Sequence, residues 1–190
     1  FAYMPPSYRG AYRIPDGIRQ ITDGAFYDCS RLTSITIPNS VTKIGYNAFG
    51  GCSSLTSVSL PNTVTNIGDQ AFGGCSSLTS PVYNAHCFAY MPPSYRGAYR
   101  IPDGIKQIAG GAFWSCSSLT SVTIPNSVTE IGYSAFCGCS RLTSITIPNS
   151  VTEIGYSAFA WCSSLTSVSL PNSVTILDYS VFSGCSSLTE

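Results

Sequence analysis

Two pairs of residues in this chain are of types that could support catalysis. His86, the single histidine, precedes Cys87, and a thiol beside an imidazole can act as an activated nucleophile. Glu130 and Glu153 stand 23 positions apart in a repeated segment, so they are expected to be neighbouring carboxylates, like the pair of a retaining glycosidase. His86 has no acid near it in the sequence and is predicted to lie on a surface turn, while the two glutamates are predicted to be solvated on a rod without a cleft. The sequence therefore predicts no catalytic site.

Nine cysteines raise the question of a metal ion or of disulfides. Zinc sites need closely paired ligands, and the only close pair, Cys137 and Cys139, does not have the spacing of common zinc sites. The regularly spaced cysteines would point the same way from neighbouring coils, which is poor geometry for a disulfide. We therefore predict buried, reduced thiols, no metal and no cofactor, with Cys137 as the most accessible thiol together with Cys87.

Most of these cysteines belong to a tandem repeat that runs through the whole chain. The thirteen residues Ile124–Phe136 recur without change as Ile147–Phe159. Phenylalanine and cysteine recur in steps of 23 residues, with one step of 41; the positions are Phe26, Phe49, Phe72, Phe113, Phe136, Phe159 and Phe182, and Cys29, Cys52, Cys75, Cys116, Cys139, Cys162 and Cys185. A catalytic site needs one constellation of residues, so verbatim repetition predicts a stacked scaffold instead.

One repeat unit, residues 55–77, shows which elements the scaffold must contain. Its apolar positions are Leu55, Val58, Leu60, Val64, Ile67, Ala71, Phe72 and Cys75. The first three alternate with serine and threonine as in a half-buried strand, the next two fit a second short strand, and the last three have the spacing of a tight helical turn. A single unit cannot bury these side chains, whereas stacked units can. The predicted fold is an α/β solenoid: a right-handed coil with one parallel β-sheet face, short second strands, and short helical turns on the other side.

The repeat resembles a known family of repeats. "LTSVTI" from Leu119 is similar to the L-x-x-L-x-L strand of leucine-rich repeats, and the unit "LTSVTIPNSVTEIGYSAFCGCSS" resembles the BspA-like class, found on surface proteins of gut and oral bacteria and some parasitic protists. The resemblance covers nearly the whole chain. One departure is that the asparagine usual at the ninth position is replaced by Ser127, Ser150 or Thr63.

The single step of 41 residues marks an inserted segment. Residues 81–92 contain two short apolar stretches separated by a polar turn at residues 84–86, which predicts a hairpin that projects from the rod and folds back with Phe88 or Tyr90 as its anchor. Residues 1–18 recur unchanged as residues 88–105. We therefore predict two modules in one continuous solenoid. Module 1–87 holds a hairpin remnant, three repeats and the start of the hairpin; module 88–190 holds its second arm and four repeats. Both ends are expected to be cut from a longer array.

Positions that vary between copies are the candidates for function, because the repeated positions form the core. The outward face of the sheet is serine and threonine, interrupted by Arg13 and Arg100. Variation is concentrated around the Ala-Phe turn, where tyrosine and tryptophan would give large contact area at small entropic cost. The alternative is that these rings only stack on one another. The predicted binding residues are Tyr133, Tyr156, Tyr179, Trp114, Trp161, Tyr27, Arg13 and Arg100.

Composition narrows the classes of partner. Only 9% of residues are charged and the net charge is zero, so the chain lacks the basic stripe that nucleic acid binding needs. No apolar run reaches the roughly 18 residues of a membrane span. The resemblance implies a non-catalytic binding or adhesion module, on a bacterial cell surface or secreted, with a protein or glycan ligand such as a host extracellular matrix. A structural spacer, or a recombined or designed repeat without a dedicated ligand, remains open.

Overall fold

The computed structural model describes residues 3–178 and 180–189, and within them the chain forms a solenoid of short β-strands. Strands of the main row are Arg9–Arg13 (β1), Arg31–Thr36 (β3), Ser57–Ser59 (β5), Gly97–Arg100 (β9), Leu119–Thr123 (β11), Ser144–Thr146 (β13) and Ser167–Ser169 (β15). Strands of the second row are Gln20–Ile21 (β2), Lys43–Ile44 (β4), Asn66–Ile67 (β6), Gln107–Ile108 (β10), Glu130–Ile131 (β12) and Glu153–Ile154 (β14). Val82–Tyr83 (β7) and Cys87–Tyr90 (β8) lie between the third and fourth repeats.

Neighbouring coils pair in parallel and in register, so each inward side chain packs on its own copy. In the main row, Ile35 of β3 lies opposite Tyr12 of β1 and Val58 of β5. The phenylalanine rings stack in two ladders with centroid distances from 4.7 to 5.6 Å; these are Phe26, Phe49 and Phe72, then Phe88, Phe113, Phe136, Phe159 and Phe182. The predicted parallel solenoid and its phenylalanine ladder are therefore confirmed.

The core is built from the predicted repeat positions, with one correction at its end. In the third coil Leu55, Leu60, Val64, Ile67 and Phe72 are all buried, while Val58 is only partly so; it still packs against the core. The copies in the last coil are more exposed, at 41% for Leu170 and 42% for Leu177. The prediction that every copy is buried is wrong there, because a coil with one neighbour buries only one side.

The Ala-Phe segments are tight turns, and the predicted short helical turns are wrong: no helix is found in residues 3–178 or 180–189. In the third coil the Gly73 amide donates to the Gln70 carbonyl at 2.8 Å, and the Cys75 amide donates to the Phe72 carbonyl at 3.2 Å. Gln70 and Gly74 have φ of 55° and 74°. Two left-handed residues within five positions prevent a right-handed helix from propagating.

Glycine follows four of the six second-row strands, and it is needed there for space between coils. A Cβ on Gly155 would lie 2.5 Å from the backbone nitrogen of Tyr133, and one on Gly68 would lie 2.5 Å from that of Tyr46. Neither glycine has a positive φ. Close packing between coils, rather than a left-handed backbone, is therefore the reason for glycine here.

Hydroxyl groups take the place of the asparagine that leucine-rich repeats usually have at the ninth position. Thr63 Oγ1 donates to the Val41 carbonyl of the preceding coil at 2.8 Å. Ser127 Oγ accepts from the Gly104 amide at 3.1 Å. Both bonds join neighbouring coils, whereas the buried Oγ of Ser150 makes no hydrogen bond to the described residues, so the hydroxyl replaces the amide in only part of the stack.

The inserted segment forms the predicted hairpin, but the hairpin does not project from the rod. β7 and β8 pair antiparallel, and β8 also pairs in parallel with β10 inside the sheet β14-β12-β10-β8-β7. Phe88 and Tyr90 are both buried, which confirms them as anchors. Every residue of β8 is buried because the strand has a core on each side: Cys87, Ala89 and Tyr90 pack with the first three coils, and Phe88 packs with the later ones.

Candidate binding surface

The ladder cysteines are structural thiols that hydrogen-bond the backbone of the preceding coil. Cys52 Sγ donates to the Phe26 carbonyl at 3.1 Å, and Cys139 Sγ donates to the Phe113 carbonyl at 3.2 Å. The cysteines at equivalent positions in the other coils repeat this contact, except that Cys29 and Cys116, in the first repeat of each module, make a longer one. All nine cysteines are free. Among the described residues no group of three or more His, Cys, Asp or Glu side chains could hold a metal ion.

His86 and Cys87 do not form a catalytic pair. The Cys87 thiol is fully buried and points to Gln107 Oε1 at 3.5 Å. Burial, with a smaller contribution from nearby Glu130, raises the pKa of Cys87 to about 12, so the thiol stays protonated at neutral pH. The prediction that Cys87 is accessible is wrong, because β8 is an inner strand. His86 lies on the turn between β7 and β8, as predicted.

Thiol labelling tests this arrangement. We expect a maleimide at neutral pH to modify Cys137 first, since Cys137 and Cys185 are the two partly exposed thiols and a hydrogen bond with Cys162 raises the pKa of Cys185. The buried thiols combine lack of access with raised pKa values, such as about 12 for Cys75 and Cys116. Mass spectrometry of the labelled protein checks the sites, and labelling in denaturant is the control. Rapid native labelling of Cys52 would contradict the assignment.

Glu130 and Glu153 are neighbours, opposite each other in the pairing of β12 with β14. The prediction that no cleft lies beside them is wrong, because an open groove of about 550 Å³ is lined by both glutamates, Asp69 and Tyr133. Glu130 accepts a hydrogen bond from Gln107 Nε2 at 3.1 Å. Burial raises the pKa of Asp69, and hydrogen bonds from the backbone of Gly110 and Tyr133 oppose that rise. The groove thus carries a negative wall beside the tyrosines.

Exposed aromatic side chains are concentrated on the Ala-Phe turns, and we call this set the aromatic edge. Its members, with 42% to 65% of each residue exposed, are Tyr27, Tyr46, Trp114, Tyr133, Tyr156 and Trp161. The rings of Tyr133 and Tyr156 stack at 5.9 Å with an angle of 11° between their planes. Tyr46 was not in the predicted set, although it occupies the same repeat slot as Tyr133. Tyr179, which was predicted, lies outside the described residues.

The rings after the Ala-Phe pair rest on small residues of the next coil. A Cβ on Gly50 would lie 3.2 Å from the Tyr27 ring, and one on Gly184 would lie 2.6 Å from the Trp161 ring. Trp161 has a φ of 61°, a left-handed conformation that is rare for a bulky residue and is held by glycine, aspartate or serine in the other coils. The sequence therefore places an indole where the backbone favours glycine.

Arg13 and Arg100 lie elsewhere, on the main strands β1 and β9. Each pairs with an aspartate three residues later, Asp16 and Asp103, at 3.1 Å. Both pairs are well exposed, so they add at most about 1 kcal/mol to stability. The structure thus brings Tyr133 and Tyr156 together in the aromatic edge and leaves the arginines on the serine and threonine face of the sheet.

Comparisons with known proteins agree on the type of repeat. The family model for the BspA type Leucine rich repeat region matches residues 10–87 and 83–190, in six copies. A leucine rich cell surface protein from Faecalibacterium prausnitzii is 30% identical with a TM-score of 0.61, over 95% of this chain and 58% of that one. A leucine-rich repeat protein from Bacteroides ovatus is 30% identical with a TM-score of 0.57, over 86% of this chain and 46% of that one. The leucine rich repeat protein of T. pallidum is 27% identical with a TM-score of 0.60, over 86% and 80%.

This chain therefore spans 58% of the length of the Faecalibacterium protein and 46% of that of the Bacteroides protein. A comparison with curated protein sequences found no match. Among the described residues no helix is long and apolar enough to cross a membrane.

Proposed function

The chain belongs to the BspA-type leucine-rich repeat family, and from this premise we propose that it is a non-catalytic binding module of a bacterial cell-surface or secreted protein. Its ligand is a host protein or glycan, such as a component of extracellular matrix. The similar protein from Faecalibacterium prausnitzii is described as a cell surface protein, which supports this location.

The observation that carries the proposal is the aromatic edge. Nearly every repeated apolar position is used by the core, whereas the aromatic edge exposes rings such as Trp161 at 65%. Large, rigid rings bury much area at low entropic cost and dominate the energetics of many interfaces. The stacked pair Tyr133 and Tyr156 beside the groove with Glu130 and Glu153 offers both apolar contact and hydrogen-bond acceptors.

A triple substitution tests which face binds. Changing Tyr133, Tyr156 and Trp161 to serine should weaken binding to a host-matrix or glycan array at least about 100-fold, since hot-spot side chains contribute about 2 kcal/mol or more each. The melting temperature should stay within a few degrees, because the three side chains are exposed. Changing Ser121, Ser144 and Ser167 on the sheet face to asparagine is the matched control and should alter binding little.

The outcomes separate the alternatives. Loss of binding in the sheet-face variant alone would place the ligand on the serine and threonine face and contradict the aromatic edge. Absence of binding to either array by the unmodified chain would favour the structural spacer.

A further inference from the structure

A crevice of about 240 Å³ lies between the Ala-Phe turns of the third and fourth coils. The two turns stack at their start, where the Gln70 amide donates to the Gly110 carbonyl at 2.7 Å, but they separate after that point. In the second and third coils the Phe49 amide donates to the Ala71 carbonyl at 2.8 Å, but the carbonyl of Ala112 accepts from the amide of Met91 at 2.6 Å. The segment that follows Met91 therefore lies between two turns that are adjacent elsewhere in the rod.

The crevice leaves backbone polar groups without the partners that they have in other coils. The Gly51 amide donates to the Gly73 carbonyl at 2.8 Å, and the Gly138 amide donates to the Ala160 carbonyl at 2.8 Å. By the same register the Gly74 amide would meet the Trp114 carbonyl. In residues 3–178 and 180–189 neither of these two groups makes a hydrogen bond, and both residues line the crevice.

The remaining lining is mostly apolar, from Leu78, Tyr90, Pro92, Pro93 and the indole of Trp114, with neutral polar groups beside these residues. Trp114 is 47% exposed. The side chain of Gln70 lies over Gly111, so a Cβ added to Gly111 would collide with the side-chain amide of Gln70. Hydroxyl groups come from Ser76, Ser94 and Ser115. Among the described residues no charged side chain lines the crevice.

We propose that this crevice binds one neutral sugar ring, stacked on the indole of Trp114. A sugar hydroxyl is both acceptor and donor, so it can accept from the Gly74 amide and donate to the Trp114 carbonyl. The Gln70 side-chain amide and the serine hydroxyls can form hydrogen bonds with further hydroxyl groups of the sugar. The uncharged lining makes the binding of an ion unfavourable. The volume is below the roughly 300 to 1,000 Å³ of drug-sized pockets, which suits a single ring. The site goes beyond the proposed function, since it uses none of Tyr133, Tyr156 and Trp161.

The chain has two tryptophans, so a single substitution leaves one reporter. Trp161→Gly restores the residue found in that slot of other coils and leaves Trp114 as the only indole. Titration with methyl glucoside, methyl galactoside, methyl mannoside and N-acetylglucosamine should give a saturable change in emission for at least one sugar, with a Kd of about 1 to 10 mM. Trp114→Gly introduces the residue that Gly50 and Gly73 provide in the same slot of other coils. In this variant the emission of Trp161 should not change when sugar is added.

A matched pair of variants shows whether the crevice is the site. Ser94→Phe fills it, whereas Ser7→Phe changes the same serine in the identical segment 1–18, which does not line this crevice. Sugar binding should be lost in the first variant and kept in the second. No response to any of the four sugars up to 100 mM, an equal response after Ser94→Phe, or saturable binding of a proline-rich peptide in place of sugar would overturn the proposal. The triple variant Tyr133→Ser, Tyr156→Ser and Trp161→Ser keeps Trp114 as its fluorescent reporter, and it should bind the sugar with an unchanged Kd. A failure of the aromatic edge as a binding surface and a failure of the sugar crevice can therefore be told apart.

Discussion

Replacing Phe136 with alanine is expected to lower the free energy of unfolding by about 3 to 5 kcal/mol. The ring is fully buried and lies between Phe113 at 4.7 Å and Phe159 at 5.3 Å, measured between centroids. Its removal leaves a cavity that two neighbouring coils share. In a stack stabilised by nearest-neighbour contacts, the change weakens both interfaces at once. Urea denaturation followed by circular dichroism measures the loss.

Phe182→Ala is the matched control at the end of the same ladder. This ring is only partly buried, and Phe159 stacks on one side of it at 5.6 Å. The loss should be about half of that for Phe136, because one coil interface is affected and part of the ring is already in solvent. Equal losses at the two positions, or a loss below about 1 kcal/mol at Phe136, would contradict the shared ladder.

What could be predicted from the sequence is what the sequence repeats. Phe136 occurs in a slot filled by phenylalanine in every unit, so its burial follows from the need of stacked units to cover one another. The ladder cysteines follow in the same way. Their hydrogen bonds to phenylalanine carbonyls could not be read from the sequence, because those depend on how far one turn is displaced from the next.

The turn itself was misread because side-chain spacing does not report backbone conformation. Ala71, Phe72 and Cys75 have a helical spacing, but Gln70 at φ 55° and Gly74 at φ 74° set the path of the chain. Glycine in the slot of Gly74 was a visible signal of a left-handed backbone in this turn. The slot of Gln70 holds glycine at Gly24 and Gly111 and asparagine or serine in other units, which adopt the left-handed region at low to moderate cost, so it carried a weaker form of the same signal.

The hairpin occurs once, and a single occurrence gives little pattern to read. The two short apolar stretches around a polar turn predicted its strands correctly, but the position of β8 between β7 and β10 depends on pairing with residues about twenty positions later. That pairing buries both faces of β8 and explains why Cys87 is inaccessible. The sugar crevice proposed above arises from the same interruption, so it too was invisible to an analysis of repeats.

Replacing Asn84 with alanine is expected to cost about 3 to 5 kcal/mol, as two or more buried backbone groups lose their partners at about 1 to 3 kcal/mol each. Asn84 is 7% exposed, and its side chain makes four hydrogen bonds, all at 2.8 Å. Its amide donates to the carbonyls of Pro61 and Val64 in the third coil. Its side-chain oxygen Oδ1 accepts hydrogen bonds from the backbone amides of His86 and Cys87 in the hairpin. One side chain thus joins the hairpin turn to the coil before it.

Asn62→Ala is the matched control, since Asn62 Oδ1 accepts a single exposed hydrogen bond from the Ala85 amide at 3.0 Å. Its loss should cost about 1 kcal/mol or less. Hydrogen exchange gives a second readout, because Asn84→Ala should speed exchange of the His86 and Cys87 amides while leaving the Phe136 amide, bonded to the Ala158 carbonyl at 2.7 Å, protected. If Asn84→Ala costs no more than Asn62→Ala, then burial of Phe88 and Tyr90 alone holds the hairpin. Slow exchange at His86 in the variant would lead to the same conclusion.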